Sequence, residues 1–222
     1  MNLARFPTLE NLSTALADLL AAEFTRTTPT PRLVMLAGGK TPLAAYAQLA
    51  ARGVTAEAQL YLCLSDERAV PVTSPESNAG QLAPLIQALR LPSERALFPD
   101  TTLPMAQAAR TWHAQLTDFL ARGGKLSLGL LGLGSDGHTA SLFTLNDVGR
   151  GRGVLVMPVT RPTPPNRISV TADLLENFDR LIFVTAGTEK QAMLDRLLRA
   201  PLTIPAGAAT AHAPRVECWY AT

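Results

Sequence analysis

Cysteine is nearly missing from this chain: Cys63 and Cys218 are the two among 222 residues, and both sit in apolar runs. That argues against a disulfide-stapled scaffold and for buried thiols in a reducing, cytoplasmic setting. Aromatic residues are also scarce, at 5% of the chain against 47% hydrophobic residues overall, so the core must be built mainly from Leu, Val and Ala. No run of like charge occurs, and 20 basic against 18 acidic residues leave a net charge of +2, which argues against nucleic acid as a partner. Long hydrophobic runs are absent too. None approaches the ~20 residues of a membrane span. Glu10, Asp18 and Glu23 break up the N-terminal segment where a signal peptide would need an unbroken apolar stretch. No His/Cys cluster has zinc spacing, and no serine sits in a nucleophile elbow. The expectation is a cytoplasmic protein that binds neither nucleic acid nor membrane and holds no metal.

The stretch at 128–143, LGLLGLGSDGHTASLF, is the most informative part of the chain. Its apolar start has the length of a buried strand. Gly132, Gly134 and Gly137 then surround a short polar turn carrying Asp136 and His138, and 139–143 turns apolar again as if to enter a helix. The three-glycine dinucleotide fingerprint is incomplete. What remains is a strand opening into a low-bulk turn with two titratable groups. A histidine there can act as a general base near neutral pH.

Three other strand ends carry polar clusters. The run 32–37 reads as a buried strand followed by Gly38, Gly39, Lys40 and Thr41, with Pro42 suited to the first turn of the next helix. Backbone N–H groups at such a junction suit a phosphate, although the glycine-to-lysine spacing is not that of a Walker loop. The strand 59–64 runs into Asp66, Glu67 and Arg68, which read as a solvated loop or as carboxylates for sugar hydroxyls beside an arginine fork for phosphate. The strand 180–185 opens at Gly187 into a helix whose first turn holds Lys190, a cation that opposes the helix dipole and hints at an anion.

Between these, 8–24 and 105–122 show the apolar periodicity of amphipathic helices, and His113 on the second reads as a core-edge residue. Residues 146–153 are glycine-rich and expected to be mobile. Residues 161–165, RPTPP, form a stiff extended loop delivering Arg167 to a strand at 168–171. Asp173 suits an N-cap, and 201–214 reads as an Ala/Pro-rich loop before a last strand at 216–220. Alternating strands and helices without a linker predict a single α/β domain over 1–222, with a largely parallel, Rossmann-like sheet and helices on both faces. Strand C-termini would then share one edge, and four loops would converge on one pocket.

In order, GGKTP, SDERAVP with SPESN, LGLGSDGHTASLF, PTPPNRISVT and VTAGTEK span about 70% of the chain. This ordered set resembles the 6-phosphogluconolactonases of the pentose phosphate pathway. The resemblance implies a sugar-phosphate fold of the deaminase/lactonase type. It also implies hydrolysis of 6-phospho-D-glucono-1,5-lactone to 6-phosphogluconate without metal or cofactor. It makes His138 the general base with Asp136 beside it, orienting the ring or binding a sugar hydroxyl. Arg68, Arg167 and Lys190 would grip the phosphate with the 38–41 loop, and Asp66, Glu67, Asn78 and Gly134 complete the substrate-binding set.

Three positions depart from that pattern: Lys40 stands where Ser is common, Thr144 replaces a usual Pro, and no Asp follows Tyr220. The related glucosamine-6-phosphate deaminases carry an acidic residue just downstream of the histidine, where 139–143 has none. A deaminase/isomerase and a non-catalytic sugar-phosphate sensor are the alternatives. Nothing in the pattern distinguishes a monomer from a homodimer.

Overall fold

The apolar runs do become the centre of the molecule. The computed structural model describes residues 1–222. In chain order it contains β1 (Asn2–Phe6), α1 (Leu9–Thr25), β2 (Arg32–Leu36), α2 (Lys40–Ala51), β3 (Leu60–Leu64) and β4 (Asp66–Arg68). There follow α3 (Asn78–Ala88), β5 (Ala96–Leu97), α4 (Met105–Ala121), β6 (Lys125–Leu131), α5 (Leu145–Arg150) and β7 (Val156–Val159). The chain closes with β8 (Arg167–Val170), α6 (Ala172–Leu175), β9 (Arg180–Ala186), α7 (Gln191–Arg199), α8 (Pro205–Ala209) and β10 (Val216–Ala221).

Seven strands pair in the order β1-β10-β9-β6-β2-β3-β5, every pair parallel. Helices cover both faces, with α1, α2 and α3 packed in succession. All five residues of β2 are buried, as a central strand requires. From β2 the chain winds outward through β3 to β5. It then crosses back, so that β6 lies on the other side of β2. Strand order therefore reverses between β2 and β6, and the loops that leave their C-terminal ends diverge to leave a crevice. Those loops carry Gly38–Gly39 and the Asp136–His138 turn. No helix is long and apolar enough to cross a membrane.

The strands expected at 154–159 and 168–171 do not join the parallel sheet. They are β7 and β8 of a separate antiparallel sheet, ordered β4-β8-β7. β4 follows β3 after one residue, and the Val170 N–H donates to Ser65 O, which ties the two sheets together. Arg167 thus enters the site from the start of an antiparallel strand rather than from a shared parallel edge.

Other expectations are corrected by local chemistry. Residues 139–143 form a tight turn, with an isolated bridge between Thr139 and Leu142 and Ala140 at φ 47°, and do not enter a helix. The helix starts at Leu145, where Thr144 and Asp147 form a reciprocal capping box, so much of the glycine-rich 146–153 segment is ordered helix. Thr171, not Asp173, occupies the N-cap of α6; Asp173 accepts the Gly153 N–H and pairs with Arg152. Pro205 opens α8 inside the expected 201–214 loop. β1 has only Leu3 and Phe6 as large apolar residues, too weak a pattern to read as an edge strand.

The charged cluster at 66–68 is no solvated loop. Glu67 is fully buried. Its carboxylate accepts the backbone N–H groups of Arg68 at 2.6 Å, Asn78 at 2.8 Å and Ala79 at 2.7 Å, and the Ser77 hydroxyl at 3.1 Å. Burial holds this carboxyl above its ordinary value, and the four donated hydrogen bonds offset only part of that shift. Every neighbour donates to it, so its two oxygens act as acceptors that fix the N-terminus of α3. Glu67→Ala would orphan four buried donors at about 1–3 kcal/mol each. We expect a loss of at least about 3 kcal/mol in chemical denaturation, and an intermediate loss for Glu67→Gln, which keeps one acceptor oxygen.

Candidate active site

A cavity of about 340 Å³ opens at the β2/β6 crevice. Its walls come from the loops after β2 and β6, from Ser65 and Asp66 at the β3–β4 junction, from Arg68, Arg161 and Arg167 of the antiparallel sheet and its loop, and from Lys190 after β9. A neighbouring cavity of about 530 Å³ shares Gly38, Gly39 and Lys190, and is where Lys40 and Thr41 open.

His138 lines the first cavity, and its Nδ1 lies 2.5 Å from Asp136 Oδ1. Asp136 itself does not line the cavity; it stands behind the ring and also accepts the His138 N–H at 3.2 Å. Partial burial pushes the Asp136 carboxyl up, but the hydrogen bonds and positive charge from His138 outweigh it and hold it below the ordinary carboxylate range. An ionised carboxylate on Nδ1 selects the Nδ1–H tautomer and leaves Nε2 as the basic nitrogen. Gly134 makes the turn possible. A methyl group on its Cα would collide with the His138 imidazole and the Asp136 carboxylate.

Asp66 has a different setting. Ser141 Oγ donates to it at 2.6 Å and Ser65 Oγ at 3.1 Å, so two hydroxyls hold its buried carboxylate at the cavity wall. Asn78 donates to Asp66 O at 2.8 Å. Its Oδ1 is buried without a partner and packs so tightly on Gly38 that no side chain fits there.

The cations share an unusual arrangement. Arg68 and Arg167 lie directly opposite each other in the β4–β8 pair, a like-charge juxtaposition that destabilises a sheet. Burial, then the neighbouring Arg68 and Arg161 charges, hold the Arg167 guanidinium below its ordinary value against the pull of Asp66. Arg68, Arg161, Arg167 and Lys190 border one cavity, and none pairs with a carboxylate. An anion would relieve this crowding.

Of the residues expected at the site, Gly38, Gly39, Asp66, Arg68, Asn78, Gly134, His138, Arg167 and Lys190 meet around the first cavity. Lys40 and Thr41 face the second, Asp136 acts from behind His138, and Glu67 is turned away into the fold. Arg161, Phe143, Ser65 and Ser141 line the cavity and were not anticipated. The signal for Arg161 lay in its own RPTPP run, read only as a support for Arg167. His113 accepts the Leu155 N–H at 3.1 Å, a structural role.

The parallel α/β sheet brings a histidine and unpaired cations together at its switch point, the position where sheets of this class form ligand crevices. The sequence pattern described as "Glucosamine-6-phosphate isomerases/6-phosphogluconolactonase" matches residues 7–218, and the chain belongs to this family. It is 30% identical over 167 residues to a 6-phosphogluconolactonase of Thermotoga maritima, covering 75% of this chain and 74% of that one. It is 31% identical over 183 residues to the human 6-phosphogluconolactonase, covering 78% of this chain and 70% of that one. The crystal structure of a Thermotoga maritima 6-phosphogluconolactonase superposes with a TM-score of 0.78 at 26% identity, covering 100% of this chain and 99% of that one.

Gly134→Ala tests the turn. The substitution should leave the fold intact by circular dichroism and displace the His138–Asp136 pair. A shift of an ångström there should lower turnover by roughly 10²-fold.

Proposed function

We propose that this protein hydrolyses 6-phospho-D-glucono-1,5-lactone to 6-phosphogluconate, the lactonase step of the oxidative pentose phosphate pathway. The observation that carries the reading is the Asp136-oriented His138 at the wall of a cavity bordered by four unpaired cations. Membership of a family that includes 6-phosphogluconolactonases supports it.

A lactone is an activated ester, so it needs a nucleophilic water and a polarised carbonyl but no covalent intermediate. In this reading His138 Nε2 takes a proton from water as the water oxygen bonds to the carbonyl carbon. The tetrahedral intermediate then collapses, the bond from carbon to ring oxygen breaks, and His138 returns its proton to the departing oxygen. Asp136 holds the imidazole in the working tautomer and stabilises its protonated form. Arg68 and Arg167, opposed across two strands, share the phosphate, with Lys190 and the Gly38–Gly39 backbone approaching it from the parallel sheet. Asp66 offers a carboxylate to sugar hydroxyls, and Asn78 holds the Asp66 backbone in place. The substrate carries its phosphate far from the carbonyl, so binding energy at one end can orient the other.

The assay follows decay of freshly generated 6-phosphogluconolactone, coupled to a 6-phosphogluconate dehydrogenase. His138→Asn should lower turnover by roughly 10²–10⁴-fold while the protein stays folded and still binds product. A near-wild-type rate would remove the general-base role. Arg167→Ala should weaken binding of the phosphorylated lactone by roughly ten- to a hundredfold. Hydrolysis of unphosphorylated gluconolactone should be poor in the wild type and almost indifferent to this change. Equal losses on both lactones would show that Arg167 supports the fold rather than the phosphate.

A further inference from the structure

The lactonase reading gives His138 the water and gives Arg68, Arg167 and Lys190 the phosphate, but leaves the lactone carbonyl without a charged partner. Arg161 is the remaining cation at the cavity. Its guanidinium makes no hydrogen bond to protein and no ion pair; only its backbone N–H is engaged, donating to Asn166 Oδ1 at 3.0 Å. Arg68 and Arg167 are tethered differently. Each donates a side-chain N–H to a backbone carbonyl, Arg68 to Glu76 and Arg167 to Pro165, and the two face each other in register.

Arg161 is held instead by an aromatic face. Its Cζ lies 3.8 Å from the centroid of the Phe143 ring, a cation–π contact that leaves the in-plane N–H donors available. Phe143 also packs against His138, with ring centroids 4.7 Å apart. One ring thus seats both the cation and the imidazole. The loop that carries Arg161 is braced by three prolines and by Asn166, whose carbonyl oxygen accepts the Ala69 N–H at 2.9 Å.

The charges at the cavity wall point the same way. Four cations and one carboxylate, Asp66, border it. A phosphate monoester supplies at most two negative charges. Hydrolysis creates a third, first on the carbonyl oxygen of the tetrahedral intermediate and then on the product carboxylate, once the new carboxylic acid has lost its proton to solvent. That charge appears at the carbon attacked by the His138-activated water, hence beside the ring that holds Arg161.

We propose that Arg161, seated on Phe143, is the electrophilic partner of the lactone carbonyl, binding its oxygen as charge develops and the product carboxylate afterwards. Phe143 is then a positioning residue that sets the guanidinium and the imidazole relative to each other. A donor that strengthens its bond as charge forms raises turnover more than ground-state binding.

The inference rests on the lactonase reading, and two measurements keep them apart. In the kinetic one, Arg161→Ala should lower kcat/KM by a similar factor, on the order of 10², for phosphorylated and unphosphorylated lactone, with the loss mainly in kcat. Arg167→Ala should discriminate between the two lactones. Arg161→Lys, which keeps the charge without the planar fork, should recover part of the loss. Phe143→Leu should shrink the effect of Arg161→Ala in a double-mutant cycle.

In the binding measurement, calorimetry compares 6-phosphogluconate with glucitol 6-phosphate, which has no carboxylate. Arg161→Ala should weaken the first by roughly ten- to a hundredfold and the second by less than twofold. A loss confined to the phosphorylated lactone, or equal weakening of both ligands, would make Arg161 another phosphate clamp and overturn the proposal. No change in either measurement would overturn it as well. A wild type that binds both ligands yet leaves the lactone intact would sink the lactonase reading and the catalytic half of the proposal with it, while the carboxylate preference, scored without turnover, would still test whether Arg161 binds the carboxylate end of the ligand.

Discussion

The parallel pairing of β2 with β6 is the constraint from which the site follows. The chain winds from β2 through β3 to β5 on one side and from β6 through β9 to β10 on the other, so the loops leaving the C-terminal ends of β2 and β6 separate. Into that gap β2 delivers two glycines and a helix N-terminus, and β6 delivers the histidine turn. Had β6 paired on the outer side of β5, its loop and that of β2 would lie several strands apart. At about 4.8 Å per strand, no side chain could close that distance.

The antiparallel sheet β4-β8-β7 completes the cavity at a cost in stability. It places Arg68 against Arg167 and brings Arg161 close by, with no carboxylate paired to any of them. Compensation comes from the buried groups around it. Glu67 locks α3 onto β4 with four accepted hydrogen bonds, and Ser141 and Ser65 secure Asp66. Rigid anchoring of the strands keeps like charges together that would otherwise move apart. In the lactonase reading proposed above, this prior arrangement lowers the ordering cost of binding the phosphate.

Polar residues on the 136–143 turn divide their work by depth. Thr139 donates to Gly132 O at 2.8 Å and Ser141 reaches Asp66, so both brace the turn from inside. Asp136 and His138 stand at its outer rim, and Gly134 beneath them carries no side chain because the pair occupies that space. A short segment thus contains both the cavity-lining imidazole and its support.

Much of this was legible in the sequence, because local chemistry decides it. The apolar runs at 32–37, 59–64 and 128–133 read as buried strands and correspond to β2, β3 and β6, although β6 starts earlier, at Lys125, and ends at Leu131; an alternation of strand and helix implies a parallel sheet. Gly38, His138 and Lys190 reach one cavity because parallel strand ends share an edge, while Asp66, Arg68 and Arg167 reach it from the antiparallel sheet. What the sequence by itself determined was the set of elements and the chemical types at their ends. Partnership was decided only in three dimensions. That Glu67 caps a helix while its neighbour Asp66 faces the cavity depends on side-chain alternation in a three-residue strand too short to recognise. That β7 and β8 leave the main sheet depends on their antiparallel pairing with each other and on that of β8 with β4, a strand far removed in sequence. That Arg161 rests on Phe143 depends on two loops 18 residues apart meeting across the cavity, a contact no local pattern encodes.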